Sequence, residues 1–317
     1  MRVRGLGRIF VSLLSLFWLN ACASVEVAPV TQIENLPGSF TVPYHISDAG
    51  HLIVDISING RPAQPFIVDT GANVSAIYAA QAEAMELVKA ENGVVVNGLV
   101  STNIRPNLEA VVFKIGPKWF LPSSVILLEE PIIKNDAIGL LGLDVLSTYT
   151  VLFNRTTMMA SFIQSEEVNA DTFAGWKKIS LQNKVDSFPD NGLYFAQVIL
   201  KDKPVPVLID TGSDLNLVNW PLATLDEVFE KVQRRLQAEM RLQGANESTS
   251  LQMRTIFFDV ALGKQNWPEV DVVIMNFDTF TKIAPVDRPF MIAGAPMFTP
   301  STFAFDFAGN RLYIYPQ

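Results

Sequence analysis

The 317-residue chain has one cysteine, Cys22, and two histidines, His45 and His51. A single thiol leaves no intrachain disulfide, so the fold must hold by its core even in an oxidising compartment. Both histidines stand ahead of the first strand that the pattern shows, far in sequence from either motif described below. Hydrolases built on Ser-His-Asp or Cys-His need an imidazole beside the nucleophile. A histidine-rich metal site needs several. Positive charge is scarce as well: 24 Lys and Arg stand against 32 Asp and Glu, a formal net charge of −8. An acidic chain with no basic stripe and no phosphate-cradling glycine loop is a poor nucleic-acid ligand. The longest apolar run at the N-terminus, Ile9 to Leu19, is too short to span a bilayer as a helix. Apolar residues are plentiful, at 49% of the chain, enough to fill the cores of two lobes or domains.

Against these absences one pattern occurs twice. Asp69-Thr70-Gly71 follows Phe66-Ile67-Val68, and Asp210-Thr211-Gly212 follows Val207-Leu208-Ile209. Each apolar run reads as a buried strand. A carboxylate at the end of a buried strand is costly unless something compensates it. Two such carboxylates, placed alike in two similar halves, point to a pair that meets.

The two motifs lie 141 residues apart, and a second match follows each. Residues 142–154 align without a gap on residues 294–306, and the match runs on to Phe162-Ile163 beside Ile314-Tyr315. Both copies carry apolar or small residues before the glycine: Leu140-Leu141 before Gly142, and Ile292-Ala293 before Gly294. Upstream of the acids, Ile56 to Asp69 corresponds to Val198 to Asp210 with one residue of slippage. Each half therefore runs strand, turn, strand, acid, variable middle, apolar-Gly, short helix or turn, strand.

These residues give the chain a resemblance to the aspartic peptidase superfamily, pepsin-like and retropepsin-like. It rests on Asp69-Thr70-Gly71-Ala72 with Ile138-Gly139-Leu140-Leu141-Gly142, and on Asp210-Thr211-Gly212-Ser213 with Ile292-Ala293-Gly294. It spans about residues 50–317 and resembles a single-chain fusion of two retropepsin-like lobes. The resemblance implies a mainly β fold of two similar closed barrel-like lobes with a few helices and the active cleft between them. It implies Asp69 and Asp210 as the catalytic pair, a peptide or protein substrate, and a water nucleophile with no metal or cofactor. It also implies that Thr70 and Thr211 cross-link the two loops beneath the acids. As plain chemistry they are also just β-branched residues leaving a strand. Gly71 and Gly212 let backbone approach the acids. Ser213 has a hydroxyl able to donate to Asp210, where Ala72 offers Asp69 nothing; the alternative is a Ser213 turned to backbone. Ala293 is smaller than the family's usual residue. Gly93 and Gly98 are flap candidates. A catalytically idle peptide-binding or scaffolding protein on the same lobes is the rival function.

The start of the chain reads as a secretory signal: Arg2, Arg4 and Arg8, then the short apolar stretch, then Leu19-Asn20-Ala21-Cys22. The last four resemble a bacterial lipoprotein processing site, with Cys22 lipidated. The alternative is an ordinary signal with an incidental cysteine. Ala23, not being aspartate, favours the outer membrane by the same resemblance. Loss of the three leader arginines takes the net charge from −8 to −11. The expected organisation is signal 1–21, lipid-anchor tether 22–48, lobe one 49–163, interlobe linker 164–190 and lobe two 191–317. The mature chain is expected to be a periplasm-facing envelope lipoprotein and a monomer, touching membrane through its lipid alone. Two helices are expected. One lies near Ala79 to Leu87. The other runs over about 225–241, where Thr224 and Glu227 form a capping box and Leu225, Val228, Phe229, Val232 and Leu236 recur at helical spacing.

Overall fold

The structure, a computed structural model, describes residues 26–97, 102–131, 136–185, 192–200, 203–225, 237–243, 249–275 and 287–316. Among them the fold is mainly β, with four short α-helices. No helix among the described residues is long and apolar enough to cross a membrane.

The first half opens with α1 (Val30–Glu34) and a hairpin of β1 (Phe40–Ile46) and β2 (Leu52–Ile58). Phe40, Val42 and Tyr44 of β1 point inward and alternate with exposed Thr41, Pro43 and His45, the period-two pattern of a half-buried strand. Asn59 and Gly60 both take the left-handed backbone that a tight hairpin turn needs. β3 (Gln64–Val68) then runs directly into Asp69. After it come β4 (Ser75–Tyr78), α2 (Ala79–Ala84), the hairpin of β5 (Lys89–Asn97) and β6 (Thr102–Leu108), the small hairpin of β7 (Phe113–Ile115) and β8 (Lys118–Phe120), and β9 (Val125–Leu128). β10 (Gly139–Leu141), α3 (Leu143–Leu146), β11 (Tyr149–Asn154) and β12 (Met159–Gln164) close the half.

β13 (Lys177–Ser180) leads into the second half. There β14 (Phe195–Leu200), β15 (Lys203–Asp210), β16 (Leu217–Val218) and α4 (Trp220–Ala223) repeat the earlier order. β17 (Gln237–Gln243), β18 (Thr249–Leu262) and β19 (Gln265–Ile274) form an antiparallel meander. β20 (Met291–Gly294), β21 (Phe303–Asp306) and β22 (Arg311–Ile314) end the chain.

Two features position the site. In each half the apolar-Gly strand sits between the strand entering the acid loop and the strand leaving it. β10 lies parallel to β3 and antiparallel to β4; β20 lies parallel to β15 and antiparallel to β16. The two halves then share a six-stranded run in the order β13, β22, β21, β11, β12, β1. Its central seam pairs Val151 with Phe305 and Phe153 with Phe303, and the rings of Phe153 and Phe303 stack with centroids 5.1 Å apart. One face of this sheet joins the main core with Leu143, Leu146 and Phe298. The other face, with Leu152, Ile163 and Ala304, is covered by Ile33, Phe173 and Trp176.

The structure departs from the sequence reading in four places. The stretch assigned to a tether contains α1 and β1: Ile33 is buried, the Trp176 indole N–H donates to the Ala28 carbonyl at 2.9 Å, and β1 pairs with both β2 and β12. Pro43 is tolerated there because it sits on the exposed face of an otherwise well-paired strand. The linker 164–190 contributes β13, which pairs with the C-terminal strand β22. Of the helix expected over 225–241, residues 226–236 lie outside the described residues, and 237–241 belong to β17, paired with β18. The helix near Ala79 to Leu87 is shorter, ending at Ala84. Residues 1–25, with the signal stretch and Cys22, lie outside the described residues, as does Gly98.

Candidate active site

The acid loops hold each other. The Thr70 N–H donates to the Thr211 hydroxyl and the Thr211 N–H to the Thr70 hydroxyl, both at 3.1 Å. The Thr70 hydroxyl donates across the seam to the Ile209 carbonyl at 2.8 Å, and the Thr211 hydroxyl to the Val68 carbonyl at 2.6 Å. Both threonines are buried, so each of these bonds also satisfies a backbone group that water does not reach. The contacts relate the halves by a pseudo-twofold arrangement, and each threonine bonds the strand end just before the other lobe's acid.

Above this lock lie the carboxyl groups. Gly71 donates its N–H to Asp69 Oδ1 at 2.8 Å, and Gly212 to Asp210 Oδ1 at 2.9 Å. The two carboxyls touch through a side-chain hydrogen bond. Each glycine also packs against the opposite acid: a Cβ on Gly71 would overlap the Asp210 carboxyl, and one on Gly212 that of Asp69. The glycines of the second motif serve the same loops from below. A Cβ on Gly142 would strike the backbone of Val74 and Ala72, and one on Gly294 that of Leu215 and Ser213.

Burial sets the electrostatics. Asp69 is 9% and Asp210 7% exposed. Burial holds the Asp69 carboxyl well above the usual range, and the neighbouring Asp210 charge adds to this. Burial also lifts Asp210, to about 6, with the N–H groups of Gly212 and Ser213 pulling the other way. Two touching carboxyls in a dry site cannot both ionise easily, so one proton belongs to the pair.

Ser213 corrects an expectation. Its hydroxyl donates to the Leu215 carbonyl at 2.8 Å, not to Asp210. The backbone N–H of Ser213 donates to the Asp210 main-chain carbonyl at 3.2 Å, and it and the Ala72 N–H each act to lower the pKa of the nearby acid, Asp210 and Asp69. The two sides therefore match in their donors, and the side-chain difference between Ala72 and Ser213 does not reach the acids.

Sequence reading passed over three residues near the site. Ser75 and Asn216 stand six positions after each acid. The Ser75 hydroxyl accepts the Gly142 N–H at 3.0 Å, and Asn216 Oδ1 accepts the Gly294 N–H at 2.8 Å. Both are buried polar residues beside apolar strands, and the 141-residue offset that aligns the acids aligns them too. His51 is the third. It precedes β2, yet it lies against Gly212 with Asp214 nearby; no local signal in the sequence points there. His45 is an exposed residue of β1. Of the flap candidates, Gly93 lies in β5 opposite Pro106 of β6. Among the described residues no cluster of His, Cys, Asp and Glu has the makings of a metal site.

Residues 54–148 match the model of the gag-polyprotein putative aspartyl protease family. The match begins in β2, takes in Asp69-Thr70-Gly71, and ends just beyond α3. No curated protein matches the chain. The second half lies outside the matched range, but it repeats the aspartyl protease topology of the first around Asp210, strand for strand from β14 through β16 and again at β20. Over residues 54–148 the chain is thus similar to retropepsin-like aspartyl proteases, and its mainly β fold with barrel-like elements is consistent with an aspartic protease fold.

Proposed function

We propose that the protein is an aspartic endopeptidase in which Asp69 and Asp210 activate a water against a peptide bond. The observation that carries this reading is the threonine lock, which supports two buried, touching carboxyls whose shared proton suits one acid and one base. The ionised carboxylate takes a proton from water as the oxygen attacks the peptide carbon. The protonated partner gives its proton to the carbonyl oxygen, forming a neutral gem-diol. Transfer of a proton to the nitrogen then expels the amine, and the pair returns to its starting state. Asp210, the less strongly raised of the two, is the natural base and Asp69 the acid, as a choice of microstate within one coupled pair. The substrate is an extended peptide or protein segment, and a single chain holds the whole site.

Asp69→Asn and Asp210→Asn each remove the shared proton's partner. Each should lower cleavage of casein or a peptide library by roughly 10²–10⁴-fold or more, with circular dichroism unchanged. Wild-type turnover in either variant would defeat the mechanism.

We further read Cys22 as the lipidated N-terminus of an envelope protein facing the periplasm, in the outer membrane. Val27 and Ile33 pack on the sheet face turned away from α3 and the acid loops. An anchor entering there supports a cleft directed away from the bilayer. Metabolic labelling with a fatty acid should mark the wild type and leave Cys22→Ser unlabelled; an unlabelled wild type would make the leader an ordinary signal.

A further inference from the structure

The Asp144 carboxyl has no part in the mechanism above, yet it ends a hydrogen-bond chain that starts at Asp69. The Asp69 N–H donates to the Leu141 carbonyl at 2.9 Å. That carbonyl and the Gly142 N–H belong to one peptide unit, and in a trans peptide the two point in opposite directions. On the far side the Gly142 N–H donates to the Ser75 hydroxyl oxygen at 3.0 Å, and the Ser75 hydroxyl donates in turn to Asp144 Oδ1 at 2.7 Å. Ser75 is wholly buried. Asp144 is also tied to the acid loop through its backbone. Its N–H donates to the Asn73 carbonyl at 3.1 Å, beside the bond from the Leu143 N–H to the Ala72 carbonyl at 2.8 Å. Asp144 Oδ2 is buried and has no hydrogen-bond partner. Burial accordingly holds the Asp144 carboxyl above the usual range, against smaller opposite pulls from the Ser75 hydroxyl and from the N–H groups of Ser75, Val145 and Asp144.

A hydroxyl accepts from Gly142 only with a lone pair turned to it, and a serine hydroxyl rotates freely unless its own proton is claimed. Asp144 claims that proton. The acceptor is then fixed, and each bond in such a run polarises the next. We propose that Asp144 is a positioning residue for the acid pair: its carboxyl ends the chain that runs from Asp69 through the Leu141–Gly142 peptide and Ser75, and so fixes the backbone at Asp69. Lobe two reaches the same end by other means. Asn216, the counterpart of Ser75, accepts the Gly294 N–H through Oδ1 at 2.8 Å, and its Nδ2 is held by donating to the Asp271 carbonyl at 3.0 Å. An amide held by main chain needs no carboxyl, and Pro296 stands where the repeat would put the counterpart of Asp144. The chain in lobe one thus ends in a group that titrates, and the one other titratable group on it is Asp69, at its far end. The proposal deepens the endopeptidase reading and rests on it for its kinetic consequence alone.

The test follows the amide protons of Gly142 and Gly294 by NMR as pH is varied, with no substrate present. In the wild type the Gly142 amide should show a step that comes from Asp144, besides what it senses of the acid pair, and the Gly294 amide should lack it. Asp144→Asn removes the ionisation but keeps an oxygen for the Ser75 hydroxyl, so the step should vanish. Ser75→Ala cuts the chain while Asp144 still titrates, as its own ¹³C-carboxyl signal would record, and the Gly142 step should shrink by at least half. The second readout is turnover of an internally quenched peptide library. Asp144→Leu, which has no acceptor, should lower kcat about tenfold with KM little changed, and Asp144→Asn should recover most of that loss. Asp144→Ala is a second loss variant should leucine disturb folding. A Gly142 step that survives Asp144→Asn or Ser75→Ala would overturn the proposal, as would an equal step at Gly294 or an Asp144→Asn enzyme as slow as the loss variants. A wild type that cleaves nothing while the amide steps behave as expected would sink the endopeptidase reading and leave the role of Asp144 standing.

Discussion

Asp69 and Asp210 are the residues at which burial and charge conflict most openly. Both carboxyls are raised, chiefly by burial, so the folded state binds protons more tightly than the unfolded chain does. Between the ordinary carboxyl range and about 6 the folded form holds the extra proton, and stability must fall as pH rises through that window. Asp210→Asn removes the ionisation but keeps the size. Relative to wild type it should gain stability on going from pH 4 to pH 7, and urea melts at the two pH values measure this. An equal difference at both would mean the pair is not strained by ionisation. At this scale the sequence showed a good deal. Asp-Thr-Gly named the acids, the locking threonines and the close-packed glycines, because each needs a particular side chain, or none, at a fixed spacing. It did not show where Ser213 points, since a hydroxyl two residues from a free carbonyl bonds locally. Nor did it show His51, which comes near Gly212 and Asp214 only because the two halves fold against each other.

Among elements, strands with apolar runs were plain to see and strands with mixed surfaces were not. β3 and β15 announce themselves as unbroken apolar runs before an acid. β1 and β13 hide, because half their residues face solvent and their partners, β12 and β22, are far along the chain. The helical periodicity after Thr224 shows the converse: residues 237–241 join a meander with β18, so pairing outweighs local pattern there. The seam between β11 and β21 is the element-level counterpart of the threonine lock. A fragment of residues 22–168 would leave β11 an unpaired edge carrying Val151 and Phe153, and uncovered apolar edges pair with whatever fits. That fragment should sediment as a homodimer or aggregate. A stable monomer would mean that lobe one is complete without its partner.

For the whole molecule, the question is whether two lobes behave as two bodies. The main apolar cluster runs without a break from Phe40 and Val54 in the first half to Phe298 and Ile314 in the second, the six-stranded run contains strands of both halves, and four hydrogen bonds between Thr70, Thr211 and their neighbours join them at the acids. Lobes joined this way have no small, polar boundary along which to separate. The protein over residues 22–317 should therefore sediment as a monomer at micromolar concentration and show a single calorimetric transition, its van't Hoff enthalpy matching the measured one. Thr211→Val tests the lock directly. It keeps the shape but leaves the Thr70 N–H and the Val68 carbonyl without their partner, two buried groups at about 1–3 kcal/mol each. The transition should move down by several degrees, at about 2–4 °C per kcal/mol for large domains, while staying single, because the β11–β21 seam and the common core remain. Two resolved transitions in the wild type would show that the lobes melt independently, and the chain would then be two retropepsin-like units in contact, not one fused body.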